Sequence, residues 1–109
     1  MVQTEQPDMN LSPQLRATRA LIKFCVDHEY DVGGVTHLRE CQKSLERGDV
    51  EAAIASYKRI PIGGMGCFND WFPPTMFSNE TPEYALAVFD ALLGHWSWLM
   101  RLLVNRESA

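Results

Sequence analysis

The sequence predicts an all-α protein, a small four-helix, bundle-like domain with an ordered Gly/Pro/aromatic loop before a long C-terminal helix. Two observations point there. Apolar residues recur at three- and four-residue spacing in Leu11–Tyr30, Val35–Arg47, Val50–Ile60 and Pro82–Asn105, the period of one face of an α-helix. A small polar residue followed by proline opens the first and last of these segments, at Ser12–Pro13 and Thr81–Pro82, a helix-start signal because proline's missing N–H costs nothing in the first turn. At 109 residues, 46% hydrophobic and 22% charged, the chain has the size and composition of a domain with one core. Residues 1–10 read as a flexible N-terminal segment and residues 11–109 as a single helical domain.

The first helix, with Ser12 as its N-cap, carries Leu11, Leu15, Thr18, Ile22, Cys25 and Val26 at helical spacing, and Leu21 widens that stripe. Arg16, Lys23 and Asp27 gather on the other side. Gly33–Gly34 then reads as punctuation, because glycine reaches positive φ cheaply. The second helix has a narrow stripe of Val35, Leu38, Cys41 and Leu45, which marks a peripheral element. Gly48 suits a left-handed C-cap and Asp49 an N-cap for the third helix, so the second and third helices are expected to pack antiparallel. Pro61 ends the third helix.

Between Pro61 and Asn79, glycines and prolines deny a long helix, yet Ile62, Met65, Phe68, Trp71, Phe72, Met76 and Phe77 are too apolar for a solvated linker. An ordered loop folded on the core is the expectation. The last helix, capped by Thr81, is roughly 36 Å long over Pro82–Asn105 at about 1.5 Å per residue. Ala85, Phe89, Leu92, Leu93, Trp96, Leu99, Met100 and Leu103 form its core face. Its opposite side is also apolar, with Ala87, Ala91, Gly94 and Trp98 flanked by Tyr84, His95 and Leu102. Either the loop covers this side, burying Trp98 beside Phe72 or Phe77, or another copy or partner packs closely on the Ala87–Ala91–Gly94 strip with Trp98 as anchor. A symmetric dimer is the commonest form of such a contact.

The net charge of −4 and pI near 5.2 leave no basic footprint for nucleic acid. Met1–Asn10 lacks the basic and apolar regions of a secretory signal. Arg101 and the His95–Ser97 stretch interrupt the richest apolar segment, which excludes a membrane span. Three cysteines without framework spacing, Cys25, Cys41 and Cys67, fit reduced thiols and a cytoplasmic location.

Cys25-x-x-His28 and His37-x-x-x-Cys41 place two pairs of metal-ligand types on helix faces. Both cysteines, however, fall on core stripes, where cysteine behaves as a small hydrophobe, and the spacing matches no common zinc framework. Cys67 sits in Gly63-Gly64-Met65-Gly66-Cys67, where a nucleophile would need a base within reach. The same glycines lack the Gly-Lys-Ser/Thr ending of a phosphate loop. Glu80 with Asp90 or Asp70 could pair as carboxylates, but helix-start charge and a solvated surface explain them equally. His95 reads as a half-buried, satisfied histidine. No cofactor is expected.

Leu45–Pro61, with Gly48, Ala53, Tyr57 and the closing proline, resembles about half of a tetratricopeptide repeat, without the second copy that such repeats stack on. The run Met65-Gly66-Cys67-Phe68-Asn69-Asp70-Trp71-Phe72-Pro73-Pro74, followed by the aromatic helix through Trp96 and Leu99, resembles a family of small bacterial proteins of uncharacterised function. The resemblance spans residues 65–109. It implies a bacterial source and carries no mechanism.

The function expected is therefore that of a non-enzymatic interaction or regulatory module. It would bind a protein partner or itself through Trp98, Ala91 and Gly94 together with Trp71 and Phe72, and neither nucleic acid nor a membrane. The competing expectation is a small-molecule or metal-binding module using Cys25, His28, His37 and Cys41 or the Gly63–Trp71 loop, with catalysis as a further step.

Overall fold

A computed structural model describes residues 10–29, 33–60, 71 and 73–108. The fold is all-α, and the described residues form four helices: α1 (Ser12–Asp27), α2 (Gly33–Glu46), α3 (Val50–Lys58) and α4 (Pro82–Ser108). Among the described residues there is no strand, and no helix is long and apolar enough to cross a membrane. α1 packs between α2 and α4, α2 pairs with α3, and α3 returns to α4.

The helix ends show where local chemistry acts as expected and where it does not. Ser12 is not the N-cap of α1. The cap position is Leu11, which makes no side-chain cap bond, and the Ser12 N–H donates to Asn10 Oδ1 at 3.0 Å. The helix ends at Asp27, short of Tyr30. There the Glu29 N–H turns back to the Val26 carbonyl and Glu29 takes a φ of +61°, which a helix cannot continue. Gly33 and Gly34 are the first residues of α2 rather than a connection before it; glycine is tolerated at a helix start, where capping rather than interior propensity decides. α3 stops at Lys58, because Arg59 and Ile60 donate to carbonyls three residues back and the residue before a proline is disfavoured in helical geometry.

The α2–α3 turn follows the sequence signal closely. Gly48 has a φ of +76°, its N–H donates to the Leu45 carbonyl, and the Asp49 N–H donates to the Ser44 carbonyl at 2.8 Å. This is the paired closing pattern of a Schellman C-cap. Asp49 then accepts from the Ala52 N–H at 3.1 Å as the N-cap of α3. At α4, Thr81 Oγ1 accepts from the Tyr84 N–H at 3.1 Å, and the helix runs three residues beyond Asn105.

Phe89, Trp96, Met100 and Leu103 of α4 are fully buried against Leu21 and Cys25 of α1 and Leu38 and Cys41 of α2. Burying such side chains stabilises by about 1.5–3 kcal/mol each. Polar contacts fix the register. Trp96 Nε1 donates to Thr18 Oγ1 at 2.9 Å, and that hydroxyl donates to the Gln14 carbonyl at 2.7 Å. Gln14 Nε2 donates to the Leu99 carbonyl at 3.1 Å. Tyr57 of α3 meets the Trp96 ring edge-on at 5.3 Å and bonds Ser97 Oγ at 3.4 Å.

Candidate functional site

With its core face committed inward, α4 has an opposite face that no other described element covers. Tyr84, Ala87, Ala91, Gly94, Trp98 and Leu102 are all exposed, and Tyr84 and Trp98 keep 59% and 51% of their surface in solvent. At about 100° per residue these six fall in a stripe roughly 80° wide that extends about 27 Å along the helix. Trp98 stacks on His95 with ring centroids 6.3 Å apart. His95 is exposed and not half-buried, because it lies at the open edge of the contact between α1 and α4. Phe77 does not cover Trp98; it meets the His28 ring edge-on at 5.5 Å. Phe72 lies outside the described residues.

Gly94 distinguishes this stripe from an ordinary solvated face. A methyl group at Gly94 would meet nothing within 4 Å, and no positive φ calls for glycine there. Inside a helix, glycine is about 1 kcal/mol less favourable than alanine. Nothing among the described residues requires it.

The structure brings Trp98, Ala91 and Gly94 together, but Trp71 lies elsewhere. Its ring meets Phe89 edge-on at 5.0 Å and Phe24 at 6.2 Å, so it is half-buried against the inward face of α4, opposite the stripe. Cys67 and most of the Gly63–Trp71 loop lie outside the described residues.

The four proposed metal ligands are not assembled. Among the described residues no group of three or more His, Cys, Asp or Glu side chains could hold a metal ion. His28 is engaged with Glu80 and His37 with Glu40 at 3.1 Å. Cys25 and Cys41 are free, buried thiols. Burial pushes both up to about 12, Cys41 against an opposing hydrogen bond with Thr18, so neither supplies a ready thiolate. The core stripes that the cysteines complete are the physical reason.

Sequence reasoning missed the His28–Glu80 pair. His28 Nε2 lies 2.9 Å from Glu80 Oε2, and Nδ1 lies 2.9 Å from the Phe24 carbonyl. Each ring nitrogen thus faces an oxygen within hydrogen-bond distance. The Phe24 ring stacks on it at 3.9 Å. Burial raises the Glu80 carboxyl. Hydrogen bonds from His28 and the Met76 N–H and the charge of His28 outweigh this and hold it below the usual value near 4.5. Both side chains are more than nine-tenths buried, and the pair ties the segment before α4 to the end of α1. One signal was available: His28 continues the Leu21–Cys25 stripe, and a buried histidine needs a partner.

Two concavities are formed by described residues. An open groove of about 340 Å³ between α1 and α4 is lined by Pro13, Ala17, Ala20, Leu92 and Leu99, with Arg16 and His95 at its rim. A second, of about 410 Å³, lies among Phe77, Asn79, Glu80 and Tyr84. Neither gathers the convergent polar groups of a catalytic pocket.

The fold and this face together define a small four-helix domain whose last helix serves the core on one side and stands open on the other. No family of known proteins, no curated protein and no solved structure matches the chain.

Proposed function

We propose that this chain is a non-enzymatic protein-interaction module that docks another polypeptide on the outer face of α4, with Trp98 as the anchor. The observation that carries the reading is the half-exposed Trp98 one turn from Gly94, a glycine that no contact or backbone angle among the described residues calls for. Tryptophan is enriched among residues that dominate interface energy, and contiguous exposed apolar stripes mark interaction sites on otherwise polar surfaces. Small residues at 87, 91 and 94 allow a partner helix to approach toward the short end of the usual 8–10 Å separation. We read the module as cytoplasmic, which the unpaired thiols of Cys25 and Cys41 support.

The test is affinity capture from cells of the source organism with the full chain and with Trp98→Glu, after circular dichroism has shown equal helix content. A polypeptide retained by the natural chain and lost with the variant is expected. An identical set of retained proteins with both chains would remove the α4 face from consideration.

A further inference from the structure

We propose that the occupant of the α4 face is a second copy of this chain, with its α4 running antiparallel. This rests on the docking reading above and adds the partner's identity. The argument begins with two charges beside the stripe. Glu83 and Arg101 are both exposed, and neither makes an ion pair among the described residues. Their spacing is five full turns at 3.6 residues per turn, so they lie on one line along the same flank, about 27 Å apart. The midpoint between them along the helix axis lies level with position 92, where the outer face carries Ala91 and Gly94 on either side.

Two copies of α4 crossing antiparallel at that midpoint set Glu83 against the partner's Arg101, and Arg101 against the partner's Glu83. The two-fold axis makes the pairs reciprocal, as an isologous interface requires. The same crossing answers size with size. Ala91 faces the partner's Gly94, and Ala87 faces the partner's Trp98, so each indole lies over a methyl group while small residues meet at the centre. A parallel pairing has neither property: it stacks indole on indole and leaves Glu83 and Arg101 at opposite ends of the complex. One helix-on-helix seam lies toward the small end of specific interfaces, about 1,000 Å² in total, so the dimer is expected to dissociate on dilution.

Sedimentation equilibrium of the full chain over a wide concentration range tests this directly. The natural chain should show a monomer–dimer equilibrium, and Trp98→Glu should be monomeric. Glu83→Arg alone sets arginine against arginine, and Arg101→Glu alone sets glutamate against glutamate, so each should dimerise at least tenfold more weakly. An equimolar mixture of these two variants restores both pairs and should form a heterodimer. A dimer indifferent to either reversal, or a mixture no stronger than its components, overturns the antiparallel pairing. A natural chain that stays monomeric throughout overturns the second copy as occupant. In that case a different polypeptide captured through Trp98 leaves the docking reading standing, and failure of that capture removes it as well.

Discussion

The indole N–H of Trp96 on α4 ends on the hydroxyl of Thr18 on α1, 2.9 Å away, and both side chains have no solvent exposure. Thr18→Val keeps the volume and removes the acceptor, which leaves the indole N–H buried and unpaired. The expected loss is about 1–3 kcal/mol of unfolding free energy, read from urea denaturation. A loss under about 0.5 kcal/mol, the size of a surface substitution, would mean that the bond does not fix the α1–α4 register.

The His28–Glu80 pair predicts acid sensitivity with a definite sign. The Glu80 carboxyl is held below its usual value near 4.5, so the folded chain binds that proton less tightly than the unfolded chain. The stabilisation is complete above the unfolded value and is lost as the pH falls through the folded one. Thermal unfolding followed from neutral pH downward should therefore weaken below about pH 4.5. Glu80→Gln should melt lower than the natural chain at neutral pH and show a shallower acid slope. Parallel acid profiles for the two chains would exclude the pair as the source.

Cys25 and Cys41, pushed up to about 12, should hold roughly a thousandfold less thiolate than an ordinary cysteine near neutral pH. On a Cys67→Ser background, a thiol-reactive dye should label them only after unfolding in guanidinium. Rapid labelling of the folded chain, or stoichiometric zinc on elemental analysis after mild purification, would contradict their place in the core.

Gly48 and Gly94 both have open space where a methyl group would go, and they differ in backbone: Gly48 sits at a φ of +76°. Gly48→Ala should destabilise by about 1–2 kcal/mol through left-handed strain alone. Gly94→Ala should stabilise the monomer by about 1 kcal/mol through helix propensity. Unfolding curves that show the same sign for both would break the distinction.

Much of the architecture was legible because it follows from local chemistry. Gly48 and Asp49 specify their turn in two residues, Thr81 and Pro82 specify the start of α4, and the spacing of Phe89, Trp96 and Leu103 assigns the inward face without reference to anything else. The two-sided character of α4 was equally readable from Ala91, Gly94 and Trp98. What escaped is what depends on distant partners. His28 and Glu80 are 52 positions apart, and no periodicity joins them. Composition alone does not separate Trp71 from Trp98, whereas Phe24 and Phe89 hold Trp71 on the far side of α4. The α2 start at Gly33 escaped because a glycine pair signals a turn and a permissive helix end in the same way.

Trp98 follows Ser97, which is bonded to Tyr57, and precedes Leu99, whose carbonyl receives Gln14. The residues on either side of it are thus held from α3 and α1. Ordering on contact is confined to the two torsions of one indole, so little conformational entropy remains to be lost. On the docking proposed above, the face is preorganised, and association should be governed by shape match and encounter rate, without a coupled folding step.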